Sequence, residues 1–237
     1  MPAAAPLERD DLRAFGKWLA IWAATIALLV LIGGATRLTE SGLSITEWKP
    51  VAGIVPPLSS AAWAEEFEKY KTIPQYQQRN AAMTLAEFRT IFLWEYTHRL
   101  WARLVGAALG LPLLWFAVRR RLPRRVWTRL ASLLVLLGAQ GALGWWMVVS
   151  GLSERTSVSQ YRLAAHLATA LVLYLWTVWT AADYLEQRRP AGAHLRDRTP
   201  GRALAGFTVL VFATATSGAF VAGLRAGKIY NSFPLMG

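Results

Sequence analysis

Five stretches of this chain contain no Asp, Glu, Lys or Arg, and they dictate most of what it can fold into: Trp18–Ala35, Leu104–Val118, Leu130–Val149, Leu163–Ala182 and Ala203–Leu224. A soluble fold would interrupt such blocks with charge. A bilayer core about 30 Å thick instead asks for roughly 20 consecutive apolar residues in a helix. Four of the blocks are long enough alone. The second reaches that length only by running back through Ile91, which takes in Glu95, His98, Arg99 and Arg103. Ionisable groups carried toward a membrane mark a functional interior, so this helix is where chemistry is to be sought.

The formal charge of +12 raises the question of a nucleic-acid partner, and its distribution answers against one. Arg119–Arg129 holds six arginines and no acid, and Asp183–Arg202 holds five arginines against three acids. Arg37–Arg89 is balanced, with six residues of each sign. Basic connections alternating with neutral ones follow the positive-inside pattern, which places the N-terminus in the cytoplasm and the C-terminus of this chain in the periplasm. The first apolar run is longer than the ~7–15 residues of a signal-peptide core and reads as a retained anchor. There is no cysteine, so neither disulfides nor thiolate ligation enters the argument.

The expected fold is an all-α integral membrane protein: a four-helix transmembrane bundle plus the first helix of a second, incomplete bundle. Residues 1–17 form a cytoplasmic tail and 18–185 the first bundle, with an external segment over 37–89. Residues 186–201 form a cytoplasmic linker, and 202–237 the first helix and exit loop of the second bundle. Within the external segment, Ser60–Tyr70 reads as a short amphipathic helix. Thr84 and Glu87 form a capping box that starts the second span near Leu85. Arg119–Arg129 reads as a tight inside turn around Pro123. Gly33 and Gly42 recur as Gly218 and Gly227 at an offset of 185, a faint sign of duplication.

Of the three histidines, His194 falls in the polar linker and reads as solvated. His98 and His166 differ. The second and fourth spans run in the same direction, and each histidine lies about seven residues past the outer end of its span. At 1.5 Å per residue, that is roughly 10 Å below the surface. Two imidazoles level with one another on parallel helices suit axial ligation of haem iron, with the macrocycle standing between them. The competing reading has each bonded to a neighbouring helix. Zinc is weaker, because no third ligand has suitable spacing. Glu95 projects from nearly the same face as His98. It is either a proton-handling or charge-stabilising group or the partner of Arg99 at i+4. Arg99, Arg103 and Arg162 either meet haem propionates or snorkel to the surface.

The sequence resembles the haem A synthase family, in the form found in mitochondria and related proteobacteria. The matching stretches are GGATRLTESGLS at 33–44 with Trp48-Lys49-Pro50, EYTHR at 95–99, QGALGWWMVVSGL at 140–152, QYRLAAH at 160–166 and AGLRAGKIYNSFPLM at 222–236. The resemblance implies oxidation of the C8 methyl of haem O to the formyl group of haem A, for cytochrome oxidase assembly. It implies eight spans in two four-helix bundles. His98 and His166 are then axial ligands at the haem O substrate site, and Glu95 takes part in catalysis. It also implies a haem b in the second bundle, whose histidine pair is not among these residues. The lipid bilayer of the inner (cytoplasmic) membrane, haem O synthase and oxidase assembly proteins are the expected partners. Two rivals remain: a b-type cytochrome that only carries electrons through a bis-histidine haem, and a membrane assembly or transport protein without haem.

Overall fold

The computed structural model describes residues 9–119, 124–186 and 199–228. These residues form helices and connecting loops, with no strand among them. The six α-helices are α1 (Arg9–Leu38), α2 (Ser60–Lys71), α3 (Leu85–Arg119), α4 (Arg124–Glu154), α5 (Gln160–Leu185) and α6 (Thr199–Leu224). Residues 11–38, 126–153, 160–185 and 201–224 are long and apolar enough to cross a membrane. The fifth long helix, α3, carries the ionisable groups noted above and is also the longest, at 35 residues.

Several helices outrun their apolar blocks. α1 begins at Arg9, so residues 9–17 are helical rather than a tail. α4 begins at Arg124, inside the stretch read as a turn, and α6 begins within the expected linker. Arginine is a good helix former, and its long stem lets the charge reach water while the backbone stays helical. Pro123, His194 and residues 229–237 lie outside the described residues. At the start of α3, Thr84 N donates to Glu87 Oε2 at 2.8 Å and Glu87 N to Thr84 Oγ1 at 3.3 Å, the reciprocal pair of a capping box.

The packing order fixes the bundle's cross-section. α1 lies between α3 and α5, and α5 lies between α1 and α4; α3 and α4 touch sparsely and close the ring. Two diagonals result, α1 to α4 and α3 to α5. α6 packs outside the ring against α5.

Apolar burial comes in two tiers. The inner tier joins Leu19, Trp22 and Ile26 to Val105, Leu109 and Leu113, with Leu130, Leu133 and Leu173 completing it. Trp22 Nε1 donates to Val105 O at 2.9 Å and Trp101 Nε1 to Thr25 O at 3.0 Å, reciprocal ties that lock α1 to α3. The outer tier is aromatic: Phe67 and Tyr70 of α2 meet Phe88 and Phe92 of α3. His98 lies on α3 between Phe92 and Val105, and His166 on α5 between Val158 and Leu173. Both histidines therefore occupy the level between the two tiers.

The exits of α1 and α6 share a geometry at the offset of 185. Glu40 and Arg225 are the two described non-glycine residues with positive φ, at 56° and 57°. They also pair with each other, Arg225 Nη2 to Glu40 Oε2 at 2.6 Å. Arg37 donates to the carbonyls of Ala222 and Gly223, capping the end of α6. α6 comes so close to α5 that a Cβ on Gly223 would lie 2.7 Å from Gln160 Cα. Since the obstacle includes backbone, Gly223→Val forces α6 outward, at an expected cost of about 1–3 kcal/mol. Faster hydrogen exchange along 199–224 would register it, and unchanged exchange would show that this approach is not tight.

Candidate functional site

The site is built from the level between the two tiers. His98 comes from α3 and His166 from α5, the two helices on one diagonal. Each has a glycine beside it on the other diagonal. A Cβ on Gly33 of α1 would stand 3.1 Å from His98 Nε2, and a Cβ on Gly144 of α4 would stand 3.0 Å from His166 Cε1.

Gln140, one turn before Gly144 on α4, supports His166 from the same side. Its Nε2 donates to His166 O at 3.0 Å and lies 3.3 Å from His166 Nε2. His166 Nδ1 and Gln140 Oε1 are buried without a hydrogen-bond partner. An orphaned buried nitrogen on a ligand-type side chain is costly unless something completes its bonding.

Glu95, one turn outward of His98, is 2% exposed and fully engaged. Its Oε2 accepts from Ser44 Oγ at 2.7 Å and from Ile45 N at 2.8 Å. Its Oε1 accepts from Arg99 Nε at 3.0 Å and Nη2 at 2.5 Å. The i,i+4 pair weighed from the sequence is therefore present, and it also clamps the external segment to α3. Arg99 continues the clamp through Nη2 to Ile45 O at 3.0 Å. Arg103 donates to Pro50 O at 3.0 Å and Lys49 O at 3.1 Å, and Tyr96 Oη to Ile54 O at 2.6 Å.

These bonds seat the loop 44–54 along α3 from Glu95 to Arg103, bringing polar backbone to the level of His98. Trp48 and Val51 of this loop, with Val55 and Leu58 just beyond it, are exposed.

Snorkelling does not describe Arg99 and Arg103, whose donors turn to the loop, although Arg103 keeps a buried Nη1 without a partner. Among the described residues Arg162, one turn before His166 on α5, has no hydrogen bond or ion pair; its guanidinium lies over Trp146 at 4.3 Å from the ring centroid. Farther out, Lys69 bridges Glu47, Glu65 and Glu66 and ties the loop to α2. The Lys49 and Lys69 ammonium groups hold the Glu47 carboxyl below the usual carboxylate range.

The donor set suits a tetrapyrrole iron better than a bare ion. Among the described residues no group of three His, Cys, Asp or Glu comes together. An imidazole from each of two diagonal helices would supply the two axial positions that a macrocycle leaves open. The orphaned Nδ1 of His166 fits that group. Sequence reasoning located the histidines, Glu95 and the arginines. It passed over Gln140 and the pairing of Gly33 and Gly144 with the imidazoles. The i,i+4 spacing of Gln140 and Gly144, which puts both on one helix face, was the available signal.

Comparison with known proteins matches residues 16–237 to the family described as cytochrome oxidase assembly protein, COX15-CtaA. A relative named heme A synthase from Sphingopyxis alaskensis is 52% identical over 94% of this chain and 62% of its own length. One of the same name from Parvibaculum lavamentivorans is 49% identical over 100% of this chain and 68% of its own length. A third, from a Bradyrhizobium species, is 55% identical over 94% and 61%. The chain thus spans about 61–68% of the length of these curated relatives. No solved structure matches it.

Proposed function

The chain belongs to the family of cytochrome oxidase assembly proteins, and from that premise we propose that it works as a haem A synthase, oxidising the C8 methyl of haem O to the formyl group of haem A. The observation that carries the reading is the diagonal pair His98 and His166, held level between two apolar tiers and each packed against a glycine of a neighbouring helix. The imidazoles hold the substrate iron as axial ligands, with Gln140 steadying His166 from behind.

Of the three arginines weighed for propionates, Arg162 and Arg103, through its Nη1, keep donors without a partner among the described residues, and we assign them that role. Guanidinium matches a carboxylate bidentately, which fixes the macrocycle's rotation as well as its charge. Arg99 acts through Glu95 and the loop. Glu95 is the carboxylate nearest the ligand His98 along α3, and we assign it either to take up the proton or to stabilise the positive charge that develops as the methyl carbon gives up electrons to an oxidant from outside this chain. The loop 44–54 excludes water from the oxidised edge.

The protein sits in the inner (cytoplasmic) membrane with its N-terminus cytoplasmic. It receives haem O from haem O synthase and passes haem A to oxidase assembly. The haem b expected of the family would be held outside the first four helices.

Pigment extraction from the protein purified after haem-replete expression tests the reading. Haem O, a hydroxylated intermediate or haem A is the expected pigment. Haem b as the sole pigment would favour the electron-carrying cytochrome, and absence of any Soret band would favour a protein that holds no haem.

A further inference from the structure

The segment Trp48–Leu58 turns an apolar surface outward. Trp48, Val51, Ile54, Val55 and Leu58 are exposed, Val51 at 77% and Leu58 at 83%. So dense a cluster is costly to leave in water. The segment holds one charge, Lys49. Its Nζ is taken up by Glu47 at 2.5 Å and by Glu66 of α2 at 3.4 Å.

Much of the backbone here is paired without water. Gly53 N donates to Lys49 O and Ile54 N to Val51 O, each at 3.1 Å. Arg103 donates to the carbonyls of Pro50 and Lys49, and Tyr96 Oη to that of Ile54. Pro50, Pro56 and Pro57 have no N–H to satisfy. Irregular backbone enters an apolar medium only when its polar groups are paired in this way. The segment also stands where lipid begins. Arg103, which fastens it to α3, immediately precedes the charge-free block Leu104–Val118. A span of roughly 20 residues counted back from Val118 reaches Arg99. The loop is therefore level with the outer end of that span, and Leu104, Leu111 and Leu114 farther along α3 are exposed as well.

We propose that Trp48–Leu58 is a lipid anchor, its apolar side chains seated in the nearer leaflet of the bilayer beside the outer end of α3. The loop is then held from two sides, its inner side by Glu95, Arg99 and Arg103 and its tip by lipid. Moving one Val or Leu side chain out of water favours the seated state by about tenfold or more. Trp48 suits the headgroup level, where an indole meets both lipid and water.

The chain has no cysteine, so a nitroxide can be attached at one chosen site. The full 237-residue chain, in nanodiscs of phosphatidylcholine and phosphatidylglycerol, carries it at Val51→Cys, Val55→Cys or Leu58→Cys. Power saturation reads collision with oxygen, which concentrates in lipid, and with a water-soluble nickel chelate. Leu111→Cys on the apolar block and Glu68→Cys on α2, both exposed positions, set the lipid and water limits. The loop labels should match Leu111→Cys for oxygen and meet nickel roughly tenfold less than Glu68→Cys. Val51→Glu with Val55→Glu should undo this, so that the label at Leu58→Cys meets nickel as often as the one at Glu68→Cys.

Loop labels that meet nickel as Glu68→Cys does in the otherwise unchanged chain overturn the proposal. Labels shielded from both reagents overturn it too, since they place the patch against protein, such as a second copy of this chain. A lipid signal that persists at Leu58→Cys in the double glutamate background also overturns it, because the bonds to α3 then hold the loop in place without help from its apolar side chains.

Discussion

Alanine at His98 or at His166 empties the site of iron porphyrin. Losing an outer-shell partner of a metal ligand already costs roughly 10–100-fold in affinity, so losing the ligand itself should cost at least about 100-fold. The helical scaffold should survive, because neither ring belongs to the inner apolar tier that joins the four helices. At His166 the change also removes the buried nitrogen that has no partner, which spares the apoprotein a penalty. Haem per chain, measured as the pyridine haemochrome, should fall in both variants while helix content by circular dichroism stays constant. Any haem that remains should be bound through a single imidazole and change from low-spin to high-spin. Stoichiometric low-spin haem in both single variants would end the assignment of these residues as a ligand pair.

Much of the frame behind that expectation is readable in the sequence, for identifiable reasons. Span positions follow from the absence of charge, a local property. The capping box at Thr84 and Glu87 is local too, and its bonds form between residues three apart. The match of His98 to His166 needs only helical rise and the direction of each span. What escapes the sequence depends on contacts between distant residues. Arg103 meets the carbonyls of Lys49 and Pro50 because a loop of irregular backbone descends beside α3, and no period announces that descent. Gly33 reads as one of two small residues closing a span; only the fold distinguishes it from Gly34 by placing an imidazole against it. Helix ends misled for the opposite reason. Charge density was read as loop, yet arginine keeps its helix propensity at a membrane surface, and α4 starts among arginines at Arg124.

Glu95 carries the second large effect, and its two roles call for two variants. Glu95→Ala leaves Arg99 without its carboxylate and Ser44 Oγ and Ile45 N without their acceptor. Breaking a buried ion pair from one side costs about 3–5 kcal/mol. The loop 44–54 should come away from α3, seen as rapid proteolysis or hydrogen exchange there, and haem A output should cease. That result alone does not separate catalysis from clamping. Glu95→Gln keeps the shape and should keep haem while oxidation stops, yet it still leaves the Arg99 charge unpaired. Glu95→Gln combined with Arg99→Gln removes both charges and allows a neutral amide pair to hold the loop. If Glu95 handles a proton during oxidation, the double variant regains loop protection and haem binding and still makes no haem A. If the carboxylate serves only as a clamp, haem A output returns together with loop protection, and the catalytic role is lost.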